Sequence, residues 1–287
     1  MTSRDVWASW LFERRHGGDP DALEATLEYL RPVRDRVLAN ADLRPGEVVL
    51  DVGTGDGLIA FGALERLDET GRVIFSDVSD ELLGHCRELC GGMGELDRTE
   101  FLNASATDLS ALAGASVDVV TTRSVIVYLH EKRRAFAEFF RVLRPGGRLS
   151  IFEPINRFAF PESDDRFWGY DVAPVLGVAA KVKAVYKGDS TLIDFDERDL
   201  FAFAEAAGFR EVRLEYQAEA VPRPWYGPRW DAFLHASGNP LIPTLAEAMD
   251  TALTAPERDE LVRHLRPLVE RQEGAKREAV AYLRAVK

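Results

Sequence analysis

Cysteine is scarce in this chain of 287 residues, and its two copies, Cys86 and Cys90, lie four positions apart in a segment with helical character. That spacing within one helix is unfavourable for a disulfide. No apolar run approaches the roughly 18 residues that a membrane-spanning helix needs. The N-terminus also lacks the apolar stretch of a signal peptide. We therefore expect a reduced, cytoplasmic protein with no membrane partner.

Clusters of basic side chains are also missing. Lysine and arginine number 36 against 48 aspartates and glutamates, which gives a formal net charge of −12. A nucleic-acid groove needs clustered lysine and arginine to meet phosphates, so no nucleic-acid partner is expected. An anionic small molecule is not excluded, because one or two arginines can hold it. No group of side chains has the spacing of metal ligands, so no metal is expected, and the oligomeric state stays open.

Short apolar strands alternate with helical periodicity through the first half of the chain, which predicts a parallel sheet of strand–helix–strand units. The five strands are 48–50, 73–75, 100–102, 117–121 and 148–152, with helices at about 58–67, 79–90 and 132–142. The regular alternation stops at Pro154. Further along, a helix at 196–207, a strand at 211–216 and a final strand at 279–283 are predicted.

This pattern divides the chain into four segments. They are an N-terminal helical segment (1–41), the core (42–220), a helical cap insertion (221–274) and a terminal strand of the core (275–287). The N-terminal segment carries an apolar helical face, which favours packing on the core with partial lid character. That face consists of Trp7, Trp10, Leu11 and Phe12.

A glycine-rich turn follows the first strand, at the edge of the sheet where open α/β folds bind ligands. It contains Gly53, Gly55 and Gly57, and glycines let the backbone approach a ligand and adopt positive φ. A tight strand-to-helix turn without a ligand would look similar. Asp77 favours a ligand, because it ends the second strand 20 positions after Gly57, where a carboxylate can accept hydrogen bonds from ribose hydroxyls.

The spacing of the turn separates two classes of nucleotide cofactor. The dinucleotide fingerprint is G-x-G-x-x-G/A, and its third small position is occupied here by the larger Leu58. Asp51, at the end of the first strand, would repel a pyrophosphate but suits a ligand with an ammonium and a sulfonium. An NAD(P)-dependent oxidoreductase is therefore the less favoured alternative.

The glycine turn and three later segments together resemble the class I S-adenosylmethionine (SAM) dependent methyltransferases. The resemblance covers roughly residues 45–155 and is carried by 51–57, Asp77, 104–109 and 143–147. It implies an α/β, Rossmann-like fold: a seven-stranded, mostly parallel sheet with helices on both faces, here with helical cap insertions. It also implies SAM as cofactor and methyl transfer to a small-molecule acceptor at an O, N, S or C atom. A catalytically silent SAM-binding module is the alternative from another class.

The resemblance implies a role for each matching residue. The glycine turn, with Asp51 and Thr54, would line the methionine part of SAM, Asp77 would bind the ribose, and Val78 would pack on the adenine. The residues that complete the cofactor site would be Ser105, Ala106, Thr107 and Ser124. Many relatives carry aspartate where Ser105 stands, so the contact to the adenine amino group is either weaker here or made by Asp108.

The acceptor is expected beyond the ends of the fourth and fifth strands. Arg123 is a candidate to hold an acceptor carboxylate, or alternatively to balance Asp51 and Glu153. Glu153 is a candidate to touch ligand, or else to pair with Arg123 or cap a loop. His130 is a candidate general base or simply an exposed residue at a helix entry. The aromatic wall expected around the acceptor consists of Tyr128, Trp168, Tyr170, Trp225 and Tyr226.

Overall fold

The computed structural model describes residues 5–187 and 190–287, and nine strands run through them. They are β1 (Val48–Val52), β2 (Arg72–Asp77), β3 (Thr99–Asn103), β4 (Val117–Arg123), β5 (Leu143–Pro154), β6 (Arg166–Phe167), β7 (Tyr170–Asp171), β8 (Arg210–Val221) and β9 (Lys276–Val286). Seven form one sheet in the order β3-β2-β1-β4-β5-β9-β8. Only β9 runs in the direction opposite to the other six strands of that sheet. The predicted α/β Rossmann-like, mostly parallel sheet is confirmed.

Ten α-helices lie in the same described residues. They are α1 (Val6–Ser9), α2 (Pro20–Ala41), α3 (Leu58–Leu64), α4 (Asp80–Met93), α5 (Lys132–Val142), α6 (Leu176–Val185), α7 (Glu197–Ala207), α8 (Trp230–His235), α9 (Leu245–Ala252) and α10 (Ala255–Glu270). Their ends follow local chemistry: Ser79 Oγ accepts the Leu82 N–H at the start of α4, and Gly94 ends that helix with φ of 76°. None of these helices is long and apolar enough to cross a membrane.

Helices cover both faces of the large sheet, as predicted. On one face α2, α3 and α4 bury residues such as Val37, Ile59 and Cys86 against the strands. On the other face α5 and α7 bury residues such as Phe136 and Leu200. Because both faces are covered, ligands have access to the parallel strands mainly at their carboxyl ends.

A third core belongs to the cap. The segment between β5 and α7 supplies α6 and the β6–β7 hairpin, while the segment between β8 and β9 supplies α8, α9 and α10. These elements share one buried cluster, which includes Phe167, Tyr170, Val178, Trp230, Phe233, Leu245, Met249, Leu261 and Leu265. The two insertions therefore pack as one unit beside the sheet.

The fifth strand is longer than predicted. Residues 144–147, in one of the segments that carry the resemblance, lie inside β5 as an irregularity between Leu143, which pairs with Val117, and Arg148, which pairs with Val119. Lys287, which follows β9, stabilises this irregular part of β5. Its N–H donates to the Gly147 oxygen at 2.9 Å, and the Lys287 carbonyl oxygen accepts the Gly146 N–H. This pairing across the whole fold is invisible in the local sequence.

Candidate active site

The glycine-rich turn leaves β1 with left-handed backbone, since φ is 66° at Gly53, 58° at Gly55 and 85° at Gly57. A Cβ at Gly53 would come within 2.2 Å of Val125 Cγ2, so this glycine permits close packing of the loop after β4. At Gly55 an added Cβ would meet only Leu11 Cδ2, at 4.0 Å. The side chain of Leu11 is therefore the part of the N-terminal segment that lies nearest to the backbone of Gly55.

Asp51 and Thr54 lie at the foot of the same turn and are both buried. The Thr121 hydroxyl donates to Asp51 Oδ1 at 2.7 Å, and the Thr54 N–H donates to the Ser76 oxygen at 2.9 Å. Burial raises the pKa of Asp51 to about 6. A cationic ligand next to this carboxylate would favour its charged form, as expected for an ammonium group in the site.

Asp77, at the end of β2, fastens the turn to the next loop. Its Oδ2 accepts the Gly55 N–H at 2.9 Å, and its Oδ1 accepts the Ser79 N–H at 3.0 Å. Each carboxylate oxygen keeps a free lone pair, which fits a pair of ribose hydroxyls. The next side chain, Val78, is 50% exposed although it is apolar, which fits a flat ring packed on it. These residues are well suited to hold SAM.

After β3, the predicted adenine-edge residues form a compact turn. Ser105 Oγ lies 2.9 Å from Thr107 Oγ1 and accepts the Thr107 N–H, while Ala106 is buried in the core. Asp108 is exposed, and its carboxylate accepts the Ser110 N–H. This hydrogen bond stabilises the chain just after the turn. In this turn Ala106 offers a ligand its backbone rather than its side chain.

One residue at this edge was missed from the sequence. The Asn103 amide donates to the Val78 oxygen at 3.3 Å and to Asp80 Oδ1 at 2.7 Å, so it holds the loop that presents Val78. The available signal was its position, since a polar side chain directly after a parallel strand lies at the ligand edge of the sheet.

Arg123 and Ser124 end β4. Ser124 has φ of 56°, unusual for a residue with a side chain, and its N–H donates to the Phe152 oxygen. Within residues 5–187 and 190–287, the Arg123 side chain makes no hydrogen bond or ion pair. Its charge lowers the pKa values of Asp51 and Glu153 from a distance. Arg123 therefore acts on these two acids only at a distance, and the direct pairing of Glu153 with Arg123 is not formed.

Glu153 is fully buried and acts on a loop. Its Oε1 accepts the N–H groups of Val125 and Ile126 at 2.8 and 2.9 Å, and its Oε2 accepts that of Val127 at 3.1 Å. Of the expected alternatives, the capped loop is the one formed, and the assignment of Glu153 as a catalytic residue is corrected. The Glu153 carboxylate accepts three hydrogen bonds and is completely buried, so no side of it is open to the molecule that would be methylated.

His130 lies on a different surface. It is exposed, and its Nδ1 is 2.9 Å from Thr191 Oγ1. It lines an open depression of about 400 Å³ together with residues of α5 and Asp194, and no residue of the glycine turn lines that depression. The structure therefore favours the alternative of an exposed residue at the helix entry over that of a general base.

The predicted aromatic wall is divided between two places. Tyr128 lies next to the loop after β4 and meets Trp7 edge-on at 5.1 Å. In the cap, Trp168 packs on Tyr226 at 5.3 Å, whereas Tyr170 is fully buried. Tyr170 is therefore part of the core of the cap, which corrects its assignment to the wall.

Trp225 is the most exposed member of the predicted wall. It is 40% exposed and lies under the Lys276 ammonium, 5.3 Å from the ring centre. This contact places Trp225 at the start of β9, where the cap joins the sheet.

The N-terminal segment covers the glycine turn. Asp5 caps α1 and accepts a hydrogen bond from Ser79, and Leu11 lies opposite Gly55. The Trp10 indole donates to the Ser237 oxygen of the cap at 2.8 Å. The segment therefore packs on the core as expected and also bridges the cofactor turn and the cap.

Comparisons with known proteins converge on methyltransferases. A sequence model of the ubiE/COQ5 methyltransferase family matches residues 26–222. The ubiquinone/menaquinone biosynthesis C-methyltransferase UbiE of Salmonella paratyphi B is 30% identical over 178 residues, which are 59% of this chain and 69% of that protein. An arsenite methyltransferase of Halobacterium salinarum is 31% identical over 194 residues, which are 68% of this chain but only 44% of that protein.

Solved structures show the same fold. The phosphoethanolamine N-methyltransferase 2 of Haemonchus contortus, crystallised with S-adenosyl-L-methionine, matches with a TM-score of 0.53 at 16% identity. The match covers 89% of this chain and 52% of that chain.

Proposed function

Because the chain belongs to the ubiE/COQ5 methyltransferase family, we propose that it transfers the methyl group of SAM to a small-molecule acceptor beneath the N-terminal segment and the cap. Bound SAM supplies a methyl carbon on a sulfonium, which leaves as a neutral thioether. The protein's task is then mainly alignment, which alone can contribute several kcal/mol to the rate, as estimated for oriented intramolecular reactions.

The observation that carries the proposal is the covered edge of the sheet. Leu11 lies over Gly55, Trp7 lies against Tyr128, and Trp10 is bonded to the cap. A protein or nucleic-acid acceptor would need an open face at this edge. A partly apolar small molecule suits a covered, aromatic-lined space from which water is excluded.

Each donor-side residue has a proposed task. The Gly55 backbone and Asp51 line the methionine part of SAM. Asp77 accepts hydrogen bonds from the ribose hydroxyls, and the half-exposed Val78 packs on the adenine. Glu153 positions the loop after β4 without touching the reactants.

Arsenite is a less suitable acceptor for this chain. Thiolates, not thiols, bind such soft centres. Cys86 and Cys90 are both buried in α4, and burial raises the pKa of each thiol. The Cys86 thiol already donates a hydrogen bond to the Gly55 oxygen, with a distance of 3.4 Å from Sγ to that oxygen. We therefore favour an acceptor whose methylated atom is carbon, oxygen, nitrogen or sulfur over arsenite.

Methyl labelling tests the proposal. The protein is incubated with methyl-labelled SAM and fractionated metabolite extracts, and labelled products are identified by mass spectrometry. We expect one or a few small labelled products, which disappear with Asp77→Asn. Binding of SAM without any labelled product would favour the catalytically silent module, and absence of SAM binding would contradict the proposed cofactor site.

A further inference from the structure

Two arginines from distant parts of the chain meet beside Tyr128. Arg15 directly follows the π-helical turn Trp10–Arg14, and Arg123 ends β4. Burial and the Arg123 charge lower the pKa of Arg15 to about 10, and both arginine charges act on the Tyr128 phenol. The three side chains therefore lie close enough for their charges to interact, and Arg123 lies at the ligand edge of the sheet.

Neither guanidinium has a counter-ion in the described part of the chain. Among residues 5–187 and 190–287, the side chains of Arg15 and Arg123 make no hydrogen bond or ion pair. Asp56 acts on Arg15 only from beyond ion-pair distance. The acids that act on Arg123 are weakened, because burial raises the pKa of Asp51 to about 6 and that of Glu153 to about 7.

Partly buried like charges without partners are unfavourable, and such groups concentrate at functional sites. Another arginine of the same segment behaves differently. Arg14, the preceding residue, forms an ion pair with Glu247 at 2.6 Å. The two guanidiniums beside Tyr128 therefore lack the ion pair that stabilises the neighbouring Arg14, and a ligand with negative charge would relieve this unfavourable state.

We propose that Arg15 and Arg123 together bind an oxyanion of the acceptor, a carboxylate or a phosphate, attached to an aromatic or similarly apolar body. Two planar guanidiniums match the geometry of such groups. Aromatic rings surround the pair: Arg15 lies 5.3 Å above the Trp10 ring, and Trp7 packs on Tyr128. This inference rests on the proposed function, since it names the acceptor class of the same site.

Calorimetric titration tests the charge requirement directly. Benzoate, phenyl phosphate and the neutral benzamide are titrated into the protein saturated with S-adenosylhomocysteine. We expect at least one anion to bind about tenfold or more tightly than benzamide, as charge-assisted hydrogen bonds allow. Arg15→Gln and Arg123→Gln should each remove most of that preference, whereas Arg15→Lys should keep part of it. The ratio of benzoate to phenyl phosphate affinity distinguishes a carboxylate acceptor from a phosphate one.

Arg14→Gln is the matched control, because it removes a neighbouring arginine that already has a partner, and it should keep the preference. The proposal is overturned if both anions bind no more tightly than benzamide, or if Arg14→Gln reduces the preference as much as Arg15→Gln. Cofactor binding is a separate titration. Failure of S-adenosylhomocysteine to bind contradicts the proposed function, and the anion titrations repeated without it still decide the role of the arginines.

Discussion

At the residue scale, the sequence predicted which side chains lie at the ligand edge of the sheet, but it did not predict their hydrogen-bond partners. Asp77 and Arg123 end two strands that flank β1, and Asp51 is the last residue but one of β1, so their position at one edge of the sheet followed from the sequence pattern. The partners of Glu153 did not, because three N–H groups aim at it only after the loop at 125–127 has folded. The burial of Tyr170 was equally hidden, since residues far away in the chain enclose it.

The role of Asp77 can be measured with a substitution that preserves its shape. Asp77→Asn removes the negative charge. The asparagine amide has one oxygen, so it can no longer accept hydrogen bonds from both the Gly55 and the Ser79 N–H through separate oxygens. We expect SAM affinity to fall about tenfold or more, because charged hydrogen bonds to the ribose are weakened. Calorimetric titration gives the dissociation constant, with the exposed Asp97→Asn as control. Wild-type affinity in a folded Asp77→Asn protein would show that this carboxylate only holds the turn.

Glu153 should make stability depend on pH. Burial raises its pKa from 4.5 to about 7, so between these values the folded protein holds a proton that the unfolded chain releases. This contribution to the free energy of unfolding is present at low pH and is lost as pH rises through that window. Urea unfolding between about pH 5 and pH 8 should therefore show a flatter profile for Glu153→Gln than for wild type. The exposed Glu131→Gln should keep the wild-type profile, and equal slopes for all three proteins would contradict the assignment.

At the element scale, the helices and strands of the core were predictable because each has its own periodicity and end signals. Helix α4 begins after Ser79 and ends at Gly94, and α7 begins at a capping box formed by Asp196 and Asp199. The cap was harder to predict, because α6 and α10 belong to different insertions and become neighbours only through a shared core. The amphipathic pattern of each helix does not show which other helix it packs against.

The junction between cap and sheet depends on Gly169. Its φ is 83°, and a Cβ there would lie 1.9 Å from the Ala275 oxygen, just before β9. We expect Gly169→Ala to lower the free energy of unfolding by about 1–3 kcal/mol or more, since both the backbone conformation and the close approach are violated. Urea unfolding measures the loss. The control is Gly177→Ala in α6, where nothing lies within 4 Å of the added methyl group, and it should leave stability unchanged or slightly higher. Similar curves for Gly169→Ala and wild type would show that the junction adjusts.

At the scale of the whole molecule, the sheet presents one edge to ligands, and two segments that are not part of the sheet cover it. The N-terminal segment bonds to the core through Asp5 and Ser79 and to the cap through Trp10 and Ser237. Its hydrogen bonds across the site are few compared with those of the seven-stranded sheet. Elements with few such contacts open at low free-energy cost, so this segment is suited to admit cofactor and acceptor.

Hydrogen exchange followed by mass spectrometry can detect this opening. With S-adenosylhomocysteine bound, amides in residues 5–15 and in α8 should gain more protection than those in β1 to β5, because the ligand adds contacts beneath segments that otherwise open locally. Trp10→Ala removes the 2.8 Å bond to Ser237 and should speed release of S-adenosylhomocysteine about two- to tenfold, the effect of losing one hydrogen bond. Leu23→Ala, at an exposed site on α2, is the control and should release the ligand at the wild-type rate. If residues 5–15 exchange identically with and without the ligand, and Trp10→Ala releases it at the wild-type rate, the segment is a fixed part of the core and the acceptor must enter by another route.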